Sequence, residues 1–307
     1  MSGALTAAVV GAGAIGARLD RPGTATPLTH AGGCVAAGFC LVGLVDPAPD
    51  TSALAQRWGC PAFASVAQLV GAKPDLVSIA APTAVHAALL REVVALRPRA
   101  VIAEKPLAGS LAEAEALAAL YAEADIPLIV NYTRRFTPLW RALAPTEALS
   151  ATFRYGKGVM HNGTHAIDLC RMLFGACLEA RALGSRFDFW PADPSVSAYL
   201  RFERCPEVFL QAMDEGCFTF FEADIVAPGW RLVVDHDGRR ARRFERREGV
   251  GVPPGRRLVE SGVEDAGAAD AMRVLMSHVR AVIDGKTPWC GAADAVAAQR
   301  VATSLLP

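Results

Sequence analysis

The chain lacks a long apolar run, an excess of charge of either sign and any closely spaced pair of cysteines. None of its apolar stretches approaches the ~20 residues that a membrane-spanning helix needs, and no basic segment precedes the first of them. With 31 basic and 31 acidic residues, the formal net charge is zero, so no overall field draws the protein to nucleic acid or lipid. These absences predict a cytoplasmic protein with neither a nucleic-acid nor a membrane partner.

The eight cysteines are scattered along the chain without a C-x-x-C pair. This pattern is typical of reduced, mostly buried thiols, because a disulfide framework or a thiolate metal site needs paired spacing. No His/Asp/Glu cluster has ligand spacing either, so we expect no bound metal. At 307 residues, 52% of them apolar, the chain is long enough for two domains with a sizeable core.

Strand-like apolar runs alternate with helical patterns over residues 1–130. The first run, residues 5–10, enters Gly11-Ala12-Gly13-Ala14-Ile15-Gly16, which matches G-x-G-x-x-G directly after a strand. Such glycines make a tight turn, let the backbone approach a pyrophosphate and allow close helix packing. Alternating strands and helices imply right-handed crossovers and a parallel sheet. Residues 1–130 are therefore predicted to form a Rossmann dinucleotide-binding domain with a doubly wound parallel sheet.

One segment departs from the simple dinucleotide-binding unit. Residues 18–33 are rich in proline and glycine, which predicts a loop inserted before or within the first helix. The loop delays the next strand, residues 39–45, which ends in Asp46. An acid at this strand end can accept both adenosine ribose hydroxyls and repels a 2′-phosphate, which favours NAD over NADP. The alternative is that Asp46 is only a turn residue before Pro47.

Another apolar run, Val101-Ile102-Ala103, stops abruptly at Glu104-Lys105-Pro106. Proline fixes φ and has no N–H to donate, so the strand should end there. Glu104 and Lys105 would then lie at the carboxyl edge of the sheet, where open α/β sheets bind ligands. A lysine at that edge can hold or polarise a substrate oxygen.

The segment Asn162-Gly163-Thr164 has the residue types that cap a helix, and Gly175 would end that helix. This places His165 in the first turn, where the helix dipole disfavours a cation. A histidine held neutral can accept a proton as a general base. Asp168, three residues on, would either orient the imidazole ring or make only a first-turn contact with the dipole.

In this order, the motifs resemble the Gfo/Idh/MocA family of nicotinamide-dependent oxidoreductases. The set comprises the glycine turn, Ala81-Pro82-Thr83 with His86, Glu104-Lys105-Pro106, Asn131-Tyr132-Thr133-Arg134-Arg135-Phe136-Thr137-Pro138 and Gly163-Thr164-His165-Ala166-Ile167-Asp168. The resemblance implies an α/β protein whose residues 131–307 form an α+β domain with an open, mostly antiparallel sheet. It also implies final helices (about 266–307) that pack back on the first domain, and a homo-oligomer, either a dimer or a tetramer.

The resemblance further implies an NAD site and a substrate site. The cofactor-binding residues would be Gly11, Gly13, Ala14, Ile15, Gly16, Asp46, Pro82, Thr83, His86, Glu104, Lys105 and Asn131. The substrate-binding residues would be Arg135, His161, Asn162 and His165, with Lys105 and His165 flanking the reacting carbon. For His86, capping or packing is an equal alternative. Family substrates are mostly sugars, cyclitols and nucleotide-linked sugars.

Many family members carry an acid four residues before the catalytic histidine, where this chain has His161. His161 would therefore bind substrate, relay the proton or be inert, and the missing carboxylate favours an anionic or phosphorylated substrate. The predicted function is hydride transfer between nicotinamide and a carbinol or keto carbon of a sugar or nucleotide-linked sugar, with catalytic Lys105, His165 and His161. The alternatives are a non-catalytic NAD-binding sensor, and an enzyme that uses tightly held NAD in a closed redox cycle such as elimination or epimerisation.

Beyond Gly175, five strand-like runs between residues 180 and 235 favour an antiparallel sheet, and Asp237-Gly238 marks a hairpin turn. The arginine-rich run 239–247 is interpreted as a solvated sheet edge, with a clamp for a sugar-nucleotide diphosphate as the alternative. Helices over residues 266–284 and 292–306 are expected to close the chain.

Overall fold

A computed structural model describes residues 4–251 and 253–307. The first three positions, on which the expected absence of an N-terminal signal partly depends, lie outside the described residues. The chain forms two compact units, Met1–Phe136 with Ala269–Ala297, and Thr137–Ala268 with Ala298–Pro307. The predicted boundary after residue 130 and the packing of the final helices stay predictions.

Helices and strands are as follows in the described residues. The strands are β1 (Thr6–Val10), β2 (Cys40–Val45), β3 (Ala62–Phe63), β4 (Leu76–Ile79), β5 (Ala100–Glu104), β6 (Leu128–Asn131), β7 (Ser150–Tyr155), β8 (Cys177–Trp190), β9 (Asp193–Phe202), β10 (Cys205–Ala212), β11 (Phe221–Val226), β12 (Trp230–Asp235), β13 (Arg240–Val250) and β14 (Gly255–Asp265). The α-helices are α1 (His30–Ala36), α2 (Thr51–Trp58), α3 (Thr83–Val94), α4 (Leu111–Glu123), α5 (Pro138–Leu143), α6 (Thr164–Phe174), α7 (Ala271–Ile283) and α8 (Ala292–Ser304).

The first unit contains a parallel sheet in the order β3-β2-β1-β4-β5-β6. The chain places β2 and β3 on one side of β1, and then β4, β5 and β6 on the other side, as in a doubly wound fold. All four residues of β4 are buried, which is expected of a strand covered by helices on both faces. The predicted Rossmann sheet is therefore confirmed.

The predicted insertion is present, but part of it is helical. One π-type turn (Ala14–Arg18) begins within the glycine motif, and residues 19–29 then lead into α1. Thr29 caps α1 by accepting a hydrogen bond from the Gly32 amide at 3.0 Å. Gly32 and Gly33 therefore belong to α1 and not to the loop. A Cβ on Gly33 would lie 2.8 Å from the side chain of Met272 in α7, so a larger residue there would require α7 side chains to shift.

The second unit contains a sheet in the order β14-β13-β12-β11-β7-β10-β9-β8. Neighbouring strands are antiparallel except for β7 and β10, which are parallel. This confirms the predicted open, mostly antiparallel sheet. Strand β7, which has neighbours on both sides, was not predicted, and neither was β14.

The interpretation of the arginine-rich run as a sheet edge is wrong. From Arg240 onwards the run lies in β13, which pairs with β12 on one side and with β14 on the other. Its guanidinium groups pair with carboxylates along and across the strands, Arg240 with Asp235 at 2.8 Å and Arg243 with Glu264 at 2.6 Å. The Arg240 contact lowers the pKa of the Asp235 carboxyl to about 2. Five of the six arginines of the run thus pair with nearby carboxylates.

The described helices include none that is long and apolar enough to cross a membrane. The eight cysteines, all in described residues, form no disulfide, but the expectation of mostly buried thiols was too strong. The buried ones are Cys34, Cys170, Cys205 and Cys290, while Cys60 and Cys177 are half-buried and Cys40 and Cys217 are exposed.

Candidate functional site

The glycines after β1 have different roles. Gly11 has φ +91°, and a Cβ there would lie 2.5 Å from the Ala81 backbone nitrogen. A Cβ on Gly16 would overlap the carbonyl oxygen of Gly11. Gly13 instead faces open space, and a Cβ at that position would have no atom within 4 Å. Two glycines therefore let the turn close on itself and on the segment that follows β4, and the third leaves the backbone open to a ligand.

A cavity of about 730 Å³ opens at this turn. Of the predicted cofactor residues, those lining it are Gly11, Gly13, Ala14, Ile15, Asp46 and Pro82. The sequence did not single out its far wall, which is formed by Pro47, Ala64, Ser65, Val66, Val85, Leu89 and Glu92. Its size and largely apolar wall suit a nucleotide ligand. A chain with a cradle of this kind fits the NAD-type cofactor that the motif implies.

Asp46 lies in the cavity wall and organises the turn. Its carboxylate accepts hydrogen bonds from the backbone amides of Ala12 at 2.8 Å and Ala48 at 2.9 Å. The second contact is the turn role that was the alternative for Asp46. A carboxylate has about four acceptor positions, so these two bonds leave capacity for ribose hydroxyls. The nearby Arg18 guanidinium donates two hydrogen bonds to the Asp50 carboxylate, so this positive charge is already paired with an acid.

At the carboxyl edge of β5, Glu104 is held in a buried hydrogen-bond network. Its Oε1 atom lies 2.8 Å from His30 Nε2 and accepts a hydrogen bond from Asn131 at 2.6 Å. His30 Nδ1 in turn lies 2.5 Å from the hydroxyl of Ser78. Burial raises the pKa of Glu104, but the hydrogen bond and charge of His30, with Asn131 and Lys105, outweigh it and lower the pKa.

The network links four elements of the first unit, namely α1, β4, β5 and β6, and no sequence motif pointed to His30 as a member of it. His30 lies 74 residues before Glu104 and comes from the inserted segment. The only local signal was the acid in Glu104-Lys105-Pro106 itself, which as a buried group needs partners. The Glu104 carboxylate is therefore committed to both His30 and the Asn131 amide.

Several predicted residues have mainly structural contacts. His86, in α3 with Thr83, is fully buried, and its ring nitrogens lie 3.0 Å from the Pro106 carbonyl and 2.7 Å from the Ala81 carbonyl. This favours the packing role. Arg135 is buried and donates to the Trp289 carbonyl at 2.6 Å, which favours a structural role over substrate binding.

In the second unit, the predicted cap of the histidine helix is wrong. A π-type turn (Val159–Gly163) runs directly into α6, so helical backbone begins before His165. Asn162 donates instead to the Gly156 carbonyl at 3.1 Å. His165 is buried on the second residue of α6, but it lies beyond the first turn of the combined helix, so the dipole argument for a neutral ring does not hold. Asp168 is fully buried, and Gly175 ends the helix as predicted.

The amides that open the π-type turn are held by the β8–β9 hairpin. Asp193 accepts from the backbone nitrogens of Met160 at 2.9 Å and His161 at 2.8 Å. Asp188 accepts from the Lys157 amide at 2.7 Å. Two carboxylates thus lie beside the segment before His165. The absence of an acid at position 161 does not make this region strongly positive, which weakens the case for an anionic substrate.

An exposed aromatic corner, defined as His161, Phe189 and Trp190, projects from the same place. The rings of His161 and Trp190 are 5.8 Å apart, and Phe189 packs edge-on against Trp190 at 4.8 Å. The Lys157 ammonium lies 4.7 Å from the centre of the Phe189 ring. Trp190 is 43% exposed and Phe189 49% exposed. This corner was not predicted, because its members come from two distant segments.

Among residues 4–251 and 253–307, no group of three or more His, Cys, Asp or Glu side chains is placed to hold a metal ion.

Comparison with known proteins gives a consistent result. Residues 5–132 match the family model described as an oxidoreductase family with an NAD-binding Rossmann fold. The YceM protein of Salmonella typhimurium, which bears the name of an oxidoreductase, is 34% identical over 122 residues. That match spans 39% of each chain, so the similarity covers about two fifths of the curated relative.

Solved structures extend the likeness in fold to nearly the whole chain. UDP-N-acetylglucosamine 3-dehydrogenase from Acidithiobacillus ferrooxidans superposes with a TM-score of 0.75 at 20% identity, covering 98% of this chain and 96% of that one. A levoglucosan dehydrogenase in complex with NADH gives 0.76 at 17% identity over the same shares. An oxidoreductase from Agrobacterium radiobacter, solved with NAD⁺, L-tartaric acid and magnesium, gives 0.70 at 16% identity, covering 98% and 95%.

Proposed function

We propose that this chain, whose residues 5–132 match the Gfo/Idh/MocA oxidoreductase family model, is an NAD-dependent dehydrogenase or reductase acting on a CH–OH group of a sugar or sugar derivative. The observation that carries the proposal is the cavity at the glycine turn, with Gly13 open towards a ligand and Asp46 in its wall. A dinucleotide needs such a cavity beside the glycine turn, whereas a turn with a purely structural role does not.

The residues of the cavity would hold the cofactor by its adenosine and phosphate groups. The open backbone at Gly13 would accept the pyrophosphate, and Asp46 would accept ribose hydroxyls while disfavouring a 2′-phosphate. Bound NAD⁺ would supply the hydride acceptor. Glu104 and Asn131, at the carboxyl edge of β5 and β6, are fixed by their network and would form a rigid floor next to Lys105.

In the proposed reaction, this chain supplies a base and a cation. An imidazole nitrogen of His165 takes the proton of the substrate hydroxyl, and the Nζ of Lys105 stabilises the negative charge that develops on that oxygen. In the reducing direction His165 returns this proton to the substrate oxygen, while Lys105 again stabilises the negative charge on that oxygen. His165 is buried on α6, so packing restricts the orientations of its ring, which a general base needs.

The aromatic corner supports a sugar substrate. Exposed aromatic faces beside polar groups offer a sugar ring an apolar surface and hydrogen-bond partners together. Two of the proteins of similar fold, the UDP-N-acetylglucosamine and levoglucosan dehydrogenases, are named for sugar substrates. The substrate class of this chain is inferred from both.

The test is to incubate the protein with NAD⁺, and separately with NADP⁺, across free, phosphorylated and nucleotide-linked sugars. We expect reduced nicotinamide to appear with NAD⁺ and one sugar class, measured by its absorbance. Tight NAD binding without any turnover across the panel would contradict the proposal and favour a sensor. Tightly held NAD that converts a sugar without net reduction would instead favour a closed redox cycle.

We expect Trp190→Ala to raise KM for the sugar about tenfold while kcat changes less than about threefold. The ring provides binding surface but touches no proton in the reaction, and losing one stacking partner costs about 1 kcal/mol or slightly more. Phe218→Ala, which removes another exposed aromatic of the same unit, is the matched control and should leave KM unchanged. An unchanged KM in Trp190→Ala would remove the aromatic corner from the substrate site.

A further inference from the structure

The inserted segment before β2 has a role that the dinucleotide-binding motif does not explain. It carries His30 at the first position of α1, and the His30 side chain is fully buried. Both ring nitrogens lie within hydrogen-bond distance of another side chain, Nδ1 with Ser78 and Nε2 with Glu104. A buried imidazole with both nitrogens engaged has one orientation, so the group it touches is held in place as well.

The group it touches is next to the proposed catalytic lysine. Glu104 closes β5, and Lys105 follows it directly in the chain. A buried carboxylate needs hydrogen-bond donors. If other side chains do not supply them, the carboxylate attracts the neighbouring lysine ammonium and changes its position. Here His30 and Asn131 both converge on Oε1 of Glu104.

We propose that His30 is a positioning residue for the proposed reaction, acting through Glu104 to set the position and charge environment of Lys105. Asn131 and His30 both hold the Oε1 atom of the carboxylate, and Ser78 fixes the imidazole. The inserted segment is then the device that delivers the histidine to the edge of the sheet. The expected effect on kcat rests on the proposed function, whereas the expected effect on the position of Lys105 does not.

The structural consequence can be measured without a substrate. The chain has four lysines, Lys73, Lys105, Lys157 and Lys286, so reductive methylation with ¹³C-formaldehyde gives few NMR signals, and Lys105→Arg assigns the relevant one. We expect His30→Ala to shift the Lys105 signal and His30→Gln, which retains a donor for Glu104, to leave it close to its original position.

The matched control is His278→Ala, which removes another buried histidine of the same unit. His278 accepts from the Trp289 amide and stacks on its ring, so its loss tests general destabilisation. The Lys105 signal should not shift in this variant. A Lys105 signal unchanged in His30→Ala, or shifted equally in His278→Ala, would overturn the proposal.

The catalytic consequence needs the substrate from the sugar panel. We expect His30→Ala to lower kcat about tenfold with the Kd for NAD changed less than about twofold, and His30→Gln to recover most of the loss. In a Glu104→Gln background, His30→Ala should change kcat less than about twofold, because the residue through which it acts is gone. Full additivity of the two substitutions would contradict a role through Glu104. If the wild-type protein shows no turnover, the proposed function fails while the NMR result still decides the placement of Lys105.

Discussion

Replacing Lys105 with methionine is expected to lower kcat by about 10²–10³, equivalent to roughly 3–4 kcal/mol of transition-state stabilisation. Methionine keeps much of the shape of the side chain but has no charge and no proton to donate. The negative charge that develops on the substrate oxygen would then lack its cation. The measurement is kcat and KM on the sugar identified in the panel, with the Kd for NAD determined separately.

Lys286→Ala is the matched control for this prediction. Lys286 is an exposed lysine of the same unit, in the segment after α7, so its removal changes net charge equally but should leave kcat unchanged. Retention of more than about a third of wild-type kcat by Lys105→Met would exclude Lys105 as the group that stabilises the oxygen. A large loss of NAD affinity would show that Lys105 acts in cofactor binding instead.

The sequence predicted the first unit well because its signals are local. The apolar runs of β1 and β5 end at glycine or at proline, and each such stop acts on the backbone within one or two residues. Asp46 was placed correctly at the end of β2 for the same reason. These features are decided by residues adjacent in the chain.

What the sequence did not predict depends on partners far away in it. Asn162-Gly163-Thr164 has the composition of a cap, but Asp193 on the β8–β9 hairpin holds the preceding amides, and the helix therefore begins earlier. The arginine run resembles an exposed edge until β14 supplies its acids, such as Glu264. His30 belongs to the same class, since nothing near it in the chain indicates Glu104.

The glycine turn provides the second large effect, and it separates folding from cofactor binding. In Gly16→Ala the new methyl would overlap the Gly11 carbonyl oxygen, a backbone atom that cannot move aside without opening the turn. We expect a loss of about 3 kcal/mol or more in the free energy of unfolding, a fall in Tm of about 6–12 °C, and no measurable NAD binding.

Gly13→Ala is the matched substitution with the opposite consequence for folding. Gly13 has φ −70° and ψ −162°, which alanine adopts without strain, and no atom lies within 4 Å of the added methyl. Tm without cofactor should therefore stay the same or rise slightly, since alanine restricts the unfolded chain more than glycine does. The methyl enters the cavity, however, so the Kd for NAD should rise at least about tenfold, and the increase in Tm that NAD gives the wild type should shrink accordingly. Wild-type affinity in Gly13→Ala would mean that the pyrophosphate does not approach the backbone at this glycine, and the cavity would then have to bind its ligand in another orientation.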